Sequence, residues 1–165
     1  SRLTSWGHMI DKPPGGRAAL WHQDQAYWLP ELDYLALGTW LPMHAVPVEM
    51  GAMQFIPGSH KRGLLPHRHA DKPEHNNLIV DAPFDEAPAV ACPLEAGGAT
   101  FHHSLTLHYT APNVTDEPRL AFPMELEIAP TRRKQPRHMP WVDARRAVVG
   151  TGPLSYVADG KVINL

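Results

Sequence analysis

The sequence predicts an all-β fold with a minor helix. Short apolar runs of four to eight residues recur along the chain, and clusters of Gly and Pro punctuate them. Eighteen Pro spread over 165 residues argue against long helices, because an interior Pro removes a backbone hydrogen bond and clashes with the preceding turn. Many short strands joined by such turns make a sandwich, jelly roll or barrel.

Leu3 to Ile10 reads as the first strand, closed by the turn cluster Lys12-Pro13-Pro14-Gly15-Gly16. Ala18 to His22 is the second. Leu35 to Leu41 (LALGTWL) is the third and stops at Pro42. Ala52 to Ile56 (AMQFI) is the fourth. It ends at Pro57-Gly58-Ser59, a type II turn with Pro at its second position and Gly at its third. Lys61 to Pro88 is polar, rich in His and Pro, and without periodicity. So long a loop in a compact domain is usually a lid or a binding loop. Ala89 to Leu94, Ala99 to Tyr109 and Arg119 to Ile128 are further strands. Val142 to Val148 is a short helix or part of a tail that wraps a sheet edge.

Composition narrows the function classes. Hydrophobic residues make up 43% and charged residues 19%, an ordinary globular balance, and the length suits one domain spanning 1–165. The net charge is −2 and no basic run exceeds Arg132-Arg133-Lys134, so neither nucleic acid nor a membrane surface is an expected partner. The lone Cys92 excludes an internal disulfide framework and an all-Cys metal site. There is no apolar run of membrane-spanning length and no signal-peptide pattern, which makes the cytoplasm the default expectation. The chain begins without Met, as a fragment would. Its oligomeric state is not legible.

The chemistry starts at Trp21 to Trp28, WHQDQAYW. Residues two apart on a strand share a face, so His22 and Asp24 aim into one cavity while Gln23 points the other way. One imidazole and one carboxylate are two thirds of a facial triad that binds Fe(II) and leaves three positions open. The third ligand is expected from Gly97 to Asn113, GGATFHHSLTLHYTAPN. Alternation there puts His102, Thr106, His108 and Thr110 on one face and His103 among apolar residues on the other, leaving His102 and His108. Arg119 favours His108. A dicarboxylic oxo-acid cosubstrate needs a cation for its far carboxylate, and Arg offers a planar bidentate partner. A hairpin through Ala111-Pro112-Asn113 would bring Arg119 beside His108.

WHQDQAYW, GAMQFIPGSHKRG (Gly51 to Gly63) and FHHSLTLHYTAPNVTDEPR (Phe101 to Arg119) together resemble the phytanoyl-CoA dioxygenase family, over Leu3 to Ile128. These are non-haem Fe(II)- and 2-oxoglutarate-dependent oxygenases. The resemblance implies a cupin-like double-stranded β-helix, a jelly roll. It implies hydroxylation of a small-molecule C–H bond with O2, releasing succinate and CO2. By motif, His22, Asp24 and His108 would hold the iron, and Arg119 would clamp the distal carboxylate of 2-oxoglutarate. Gln23, Trp40 and Thr110 match further cosubstrate contacts of the family. Trp40 reads equally as a core aromatic, and strand alternation turns Gln23 away from the cavity unless the backbone bulges.

Two departures from the family pattern stand out. Gly98 occupies a position that is often Asp, and N-terminal elements that support the barrel in the family are missing. Asp24, which related halogenases replace by a small residue, favours hydroxylation. Two other readings are a non-catalytic binding module of the same fold and a cupin-type metalloenzyme that uses no 2-oxoglutarate. His60 reads as part of a structural turn. His67, His69 and His75 read as solvated loop residues, with Lys61, Arg62 and Arg68 making that loop locally basic.

Overall fold

The computed structural model describes residues 3–150, 155–158 and 161–164. In chain order the strands are β1 (Leu3–Gly7), β2 (Ile10–Lys12), β3 (Ala19–His22), β4 (Leu32–Pro42), β5 (Met53–Phe55), β6 (His67–His69), β7 (Leu78–Val80), β8 (Val90–Cys92), β9 (Thr100–His103), β10 (His108–Thr110), β11 (Arg119–Arg132), β12 (Ser155–Ala158) and β13 (Lys161–Asn164). One helix, α1 (Pro140–Val149), follows β11. A five-stranded antiparallel sheet runs β1-β11-β4-β9, with β2 also paired to β11. A four-stranded sheet runs β3-β10-β5-β8. This is the jelly roll expected, with the cavity between the two sheets. No described helix is long and apolar enough to cross a membrane.

Several boundaries follow the sequence. The type II turn is present: Gly58 adopts φ 76 and ψ −4, a left-handed conformation that a side chain would strain. Its successor Ser59 does more than turn the chain. The buried Ser59 hydroxyl donates to the Ile56 carbonyl (2.7 Å) and accepts from the Leu107 amide (2.9 Å), which pins the approach to β10.

Four expectations are corrected. Ala99 to Tyr109 is not one strand. The chain bends at Ser104 to Leu107, leaving β9 in the larger sheet and β10 in the smaller. Nor do β10 and β11 form a hairpin: β10 pairs with β3 and β5, and β11 with β1, β2 and β4. The segment 61–88 is not structureless, since β6 and β7 pair within it. His67, read as solvated, is buried there.

β11 carries Pro123 in the middle of a central strand, where a missing amide hydrogen is normally excluded. Its carbonyl accepts from the His8 amide, so its nitrogen faces the same edge, at the break between β1 and β2 where no ladder donor is needed. Along β11, Arg119, Ala121, Pro123, Glu125 and Glu127 share the inner face, and the apolar Leu120, Phe122, Met124, Leu126 and Ile128 point outward. With Leu35, Leu37 and Phe101, all exposed, they make the outer face of the larger sheet apolar. Between the sheets, Trp40, Val46, Met50, Ala52, Met53 and Ala121 form one buried cluster. Each large side chain there contributes about 1.5–3 kcal/mol by leaving water.

Candidate metal centre and its cavity

β3 ends at His22, and Asp24 opens a 3-10 turn (Asp24–Tyr27). Gln23 between them is extended (φ −123, ψ 136), so His22 and Asp24 keep the same side without a bulge. His108 opens β10 and is the direct cross-strand partner of His22. The ligand atoms of His22, Asp24 and His108 all lie within 4.8 Å of one another, the one such cluster among the described residues.

Local hydrogen bonds orient both imidazoles. His22 Nδ1 lies 2.5 Å from the Leu20 carbonyl and His108 Nδ1 2.9 Å from the Thr106 carbonyl. Each Nδ1–H is thereby committed to backbone, and each Nε2 is left as the donor atom, the arrangement that prepares a metal-ligating histidine. Burial, followed by the neighbouring His108, pushes His22 down to about 3, so its ring is neutral. Burial alone would raise Asp24, but His108 and His102 outweigh it and hold the carboxyl well below the usual carboxylate range. For His108, burial pulls downward and Asp24 outweighs it, leaving the ring raised. One carboxylate and two imidazoles converging on one cavity wall fit a divalent first-row transition ion.

These residues open onto a cavity of about 720 Å³ lined by both sheets. Its cationic end holds Arg119 and Lys12, register partners on β11 and β2 and both buried. Arg119 stacks 5.3 Å over Trp40, donates to the Gly51 carbonyl (2.9 Å), and keeps a buried Nε without a partner. Lys12 Nζ donates to Thr110 Oγ1 (2.8 Å) and to the Ala111 carbonyl (2.7 Å). Burial and then Arg119 lower Lys12 to about 8. Trp40 is therefore both core aromatic and cavity wall, and Thr110 also lines the cavity, its hydroxyl accepting from Lys12.

Gln23 is not brought to the cavity. Its amide is fully buried on the far side, donating to the carbonyls of Gly63 (2.9 Å) and Leu105 (2.6 Å) and accepting from the Leu65 amide (2.8 Å). His67 takes up the Gln23 backbone N–H (3.2 Å). Gln23→Ala is expected to cost about 3 kcal/mol in urea unfolding, from stranding the buried Leu65 amide and two part-buried carbonyls. It should leave cosubstrate affinity unchanged. Weakened 2-oxoglutarate binding at intact stability would show the opposite role.

Three residues to which the sequence assigns no role at the site matter here. Lys12 looked like the start of a turn cluster. Asn113 is fully buried and ties the loop after β10 to β2 by donating to the Lys12 carbonyl (3.1 Å). Glu125 lines the opposite end of the cavity with a buried oxygen that has no partner. Burial, reinforced by Asp24, pushes its carboxyl up to about 8. An acid raised on folding binds its proton when the unfolded chain has already released it, so stability falls as pH rises from the unfolded value to about 8. Glu125→Gln should therefore be more stable than the parent by about 1–2 kcal/mol near pH 9, a figure discounted for partial exposure, and should lose that advantage near pH 4. Urea titrations across that range decide it, and a pH-independent difference would refute the assignment.

Comparison with known proteins joins this geometry to a family. The model of the phytanoyl-CoA dioxygenase (PhyH) family matches residues 1–121. The chain belongs to this family. Among PhyH relatives, a probable alpha-ketoglutarate-dependent hypophosphite dioxygenase of Stutzerimonas stutzeri is 38% identical over 108 residues, covering 62% of this chain and 37% of that protein. The crystal structure of EvdO2 from Micromonospora carbonacea var. aurantiaca, complexed with 2-oxoglutarate, superposes with a TM-score of 0.79. Identity is 40%, covering 84% of this chain and 57% of that one. SnoK, a non-heme alpha-ketoglutarate-dependent carbocyclase from nogalamycin biosynthesis, gives a TM-score of 0.59 at 30% identity, covering 77% and 50%. The chain thus spans about two fifths of the curated PhyH relatives.

Proposed function

We propose that this chain is the catalytic barrel of an Fe(II)- and 2-oxoglutarate-dependent oxygenase that hydroxylates a C–H bond of a small molecule. The observation that carries it is one cavity with the His22, Asp24 and His108 cluster on its wall and a buried cation pair, Lys12 and Arg119, at one end. His22, Asp24 and His108 would hold the iron, and Arg119 with Lys12 the distal carboxylate of 2-oxoglutarate. Trp40 supports the guanidinium and Thr110 fixes the Lys12 ammonium. Bound there, iron and 2-oxoglutarate would supply oxidation by O2, with release of succinate and CO2.

The protein's own part is positioning and exclusion of water. Trp40, Met53 and Pro123 line the cavity between its ends, which strengthens each charge interaction inside. The substrate would enter from the Glu125 end, where Trp6 and His8 also line the wall and stack on each other. A cytoplasmic setting suits an enzyme that draws on 2-oxoglutarate. The alternatives lose ground to the combination: a metalloenzyme without 2-oxoglutarate leaves buried Arg119 and Lys12 without an anion to hold, and a binding module does not call for a three-ligand cluster on the same cavity.

The test is an anaerobic titration of the protein with Fe(II) and 2-oxoglutarate, followed by admission of O2. A visible charge-transfer band and then O2-dependent succinate are expected. A protein that binds neither iron nor 2-oxoglutarate overturns the reading.

A further inference from the structure

His102 lies outside the three-residue cluster but in contact with it. Its Nε2 is 3.0 Å from Asp24 Oδ2, whereas Asp24 Oδ1 lies 3.3 Å from His108 Nε2. The two carboxylate oxygens are thus divided between two imidazoles on different sheets. We propose that His102 is a positioning residue that draws off Oδ2, so that Asp24 offers a metal ion one oxygen rather than two. This rests on the reading of His22, Asp24 and His108 as the metal ligands.

The consequence is chemical. A carboxylate turns easily about its terminal torsion and can bind an ion through one oxygen or both. Two-oxygen binding would occupy a position that a three-ligand centre needs open for cosubstrate and O2. A charge-assisted N–H···O bond to Oδ2 resists that rotation. The bond is largely shielded from solvent, which weakens competition by water: the His102 side chain is 7% exposed and that of Asp24 19%.

The surroundings are built for this ring. His102 is the cross-strand partner of Gly38, and a Cβ at Gly38 would lie 2.6 Å from His102 Nε2. Gly38 has no left-handed backbone to explain it. The glycine is there for room. Phe55 flanks the imidazole with ring centroids 5.1 Å apart. His102 Nδ1 is buried without a partner. A bare ring nitrogen tolerates that better than an N–H would, which places the single proton on Nε2, toward Asp24. The same Nε2 that donates to the carboxylate is therefore the atom a side chain at position 38 would displace.

The test uses His102→Phe, which keeps a ring and removes the donor; His102→Gln, which keeps an N–H donor; and Gly38→Ala, which crowds the ring. Fe(II) affinity is measured anaerobically with saturating 2-oxoglutarate, together with the position of the charge-transfer band and the melting temperature of each protein. His102→Phe and Gly38→Ala should bind Fe(II) about 10–100-fold more weakly and shift the band, and His102→Gln should recover most of both. Parental affinity and band position in a folded His102→Phe overturn the proposal. So does a His102→Gln that behaves no better than His102→Phe. Failure of the wild-type protein to form the band is a different result, and it refutes the proposed function instead.

Discussion

Asp24→Ala should abolish O2-dependent succinate formation, a fall of at least about a thousandfold, because loss of a metal ligand must exceed the roughly 10–100-fold cost of losing an outer partner. The substitution removes the only carboxylate of the cluster and leaves two imidazoles to hold a dication. It also strands two others: His102 loses the acceptor of its Nε2 proton, and His108 loses the charge that keeps its ring raised. Added Fe(II) or 2-oxoglutarate should not restore turnover, since neither replaces the missing ligand. Far-ultraviolet circular dichroism and a thermal melt establish that the variant is folded. Parental succinate formation by folded Asp24→Ala would remove the metal centre from the mechanism.

How legible this was depended on whether the deciding contacts were local. The His22-x-Asp24 pair was readable because alternation holds wherever the backbone stays extended, as it does at Gln23. The same rule ran past its validity at Ala99 to Tyr109. The bend at Ser104 to Leu107 contains neither Gly nor Pro, and its partners are distant in sequence. Ser104 accepts from Gln25 through both its hydroxyl and its carbonyl, and Leu107 is held by Ser59. His102 and His108 consequently reach the cavity from two sheets and have different surroundings, a distinction parity cannot make.

Chemistry singles out Arg119, but its strand pairing is not legible, since a short Pro-containing link looks like a hairpin whether or not the chain crosses to another sheet. Lys12 and Glu125 are not legible as cavity residues for a common reason. Charged residues at a strand end or between apolar neighbours read as solvent-facing, and the outward side of β11 is the apolar one. Only the cavity shows which side is inside.

Arg119→Ala should raise the 2-oxoglutarate concentration needed for half-maximal turnover by about 100- to 1,000-fold, in line with the roughly 2–5 kcal/mol lost when one partner of a buried charge pair is truncated. Turnover at saturating 2-oxoglutarate should recover much of its parental value, because in the proposed role the residue would hold the cosubstrate far from the reacting carbon and contribute to ground and transition states alike. That recovery separates it from Asp24→Ala. Arg119→Lys should be an incomplete substitute, since a point charge cannot reproduce the planar contact with Trp40 together with the bond to the Gly51 carbonyl. Lys12→Ala should have a smaller effect, about tenfold, because its ammonium already has two acceptors in Thr110 and Ala111. The two cations repel each other in the free protein, which is part of why Lys12 sits near 8. A dicarboxylate that enters between them relieves this repulsion, so 2-oxoglutarate should raise the melting temperature of the parent and do little for Arg119→Ala. Equal thermal shifts in the two proteins, with unchanged cosubstrate dependence, would mean that 2-oxoglutarate does not bind at this end of the cavity.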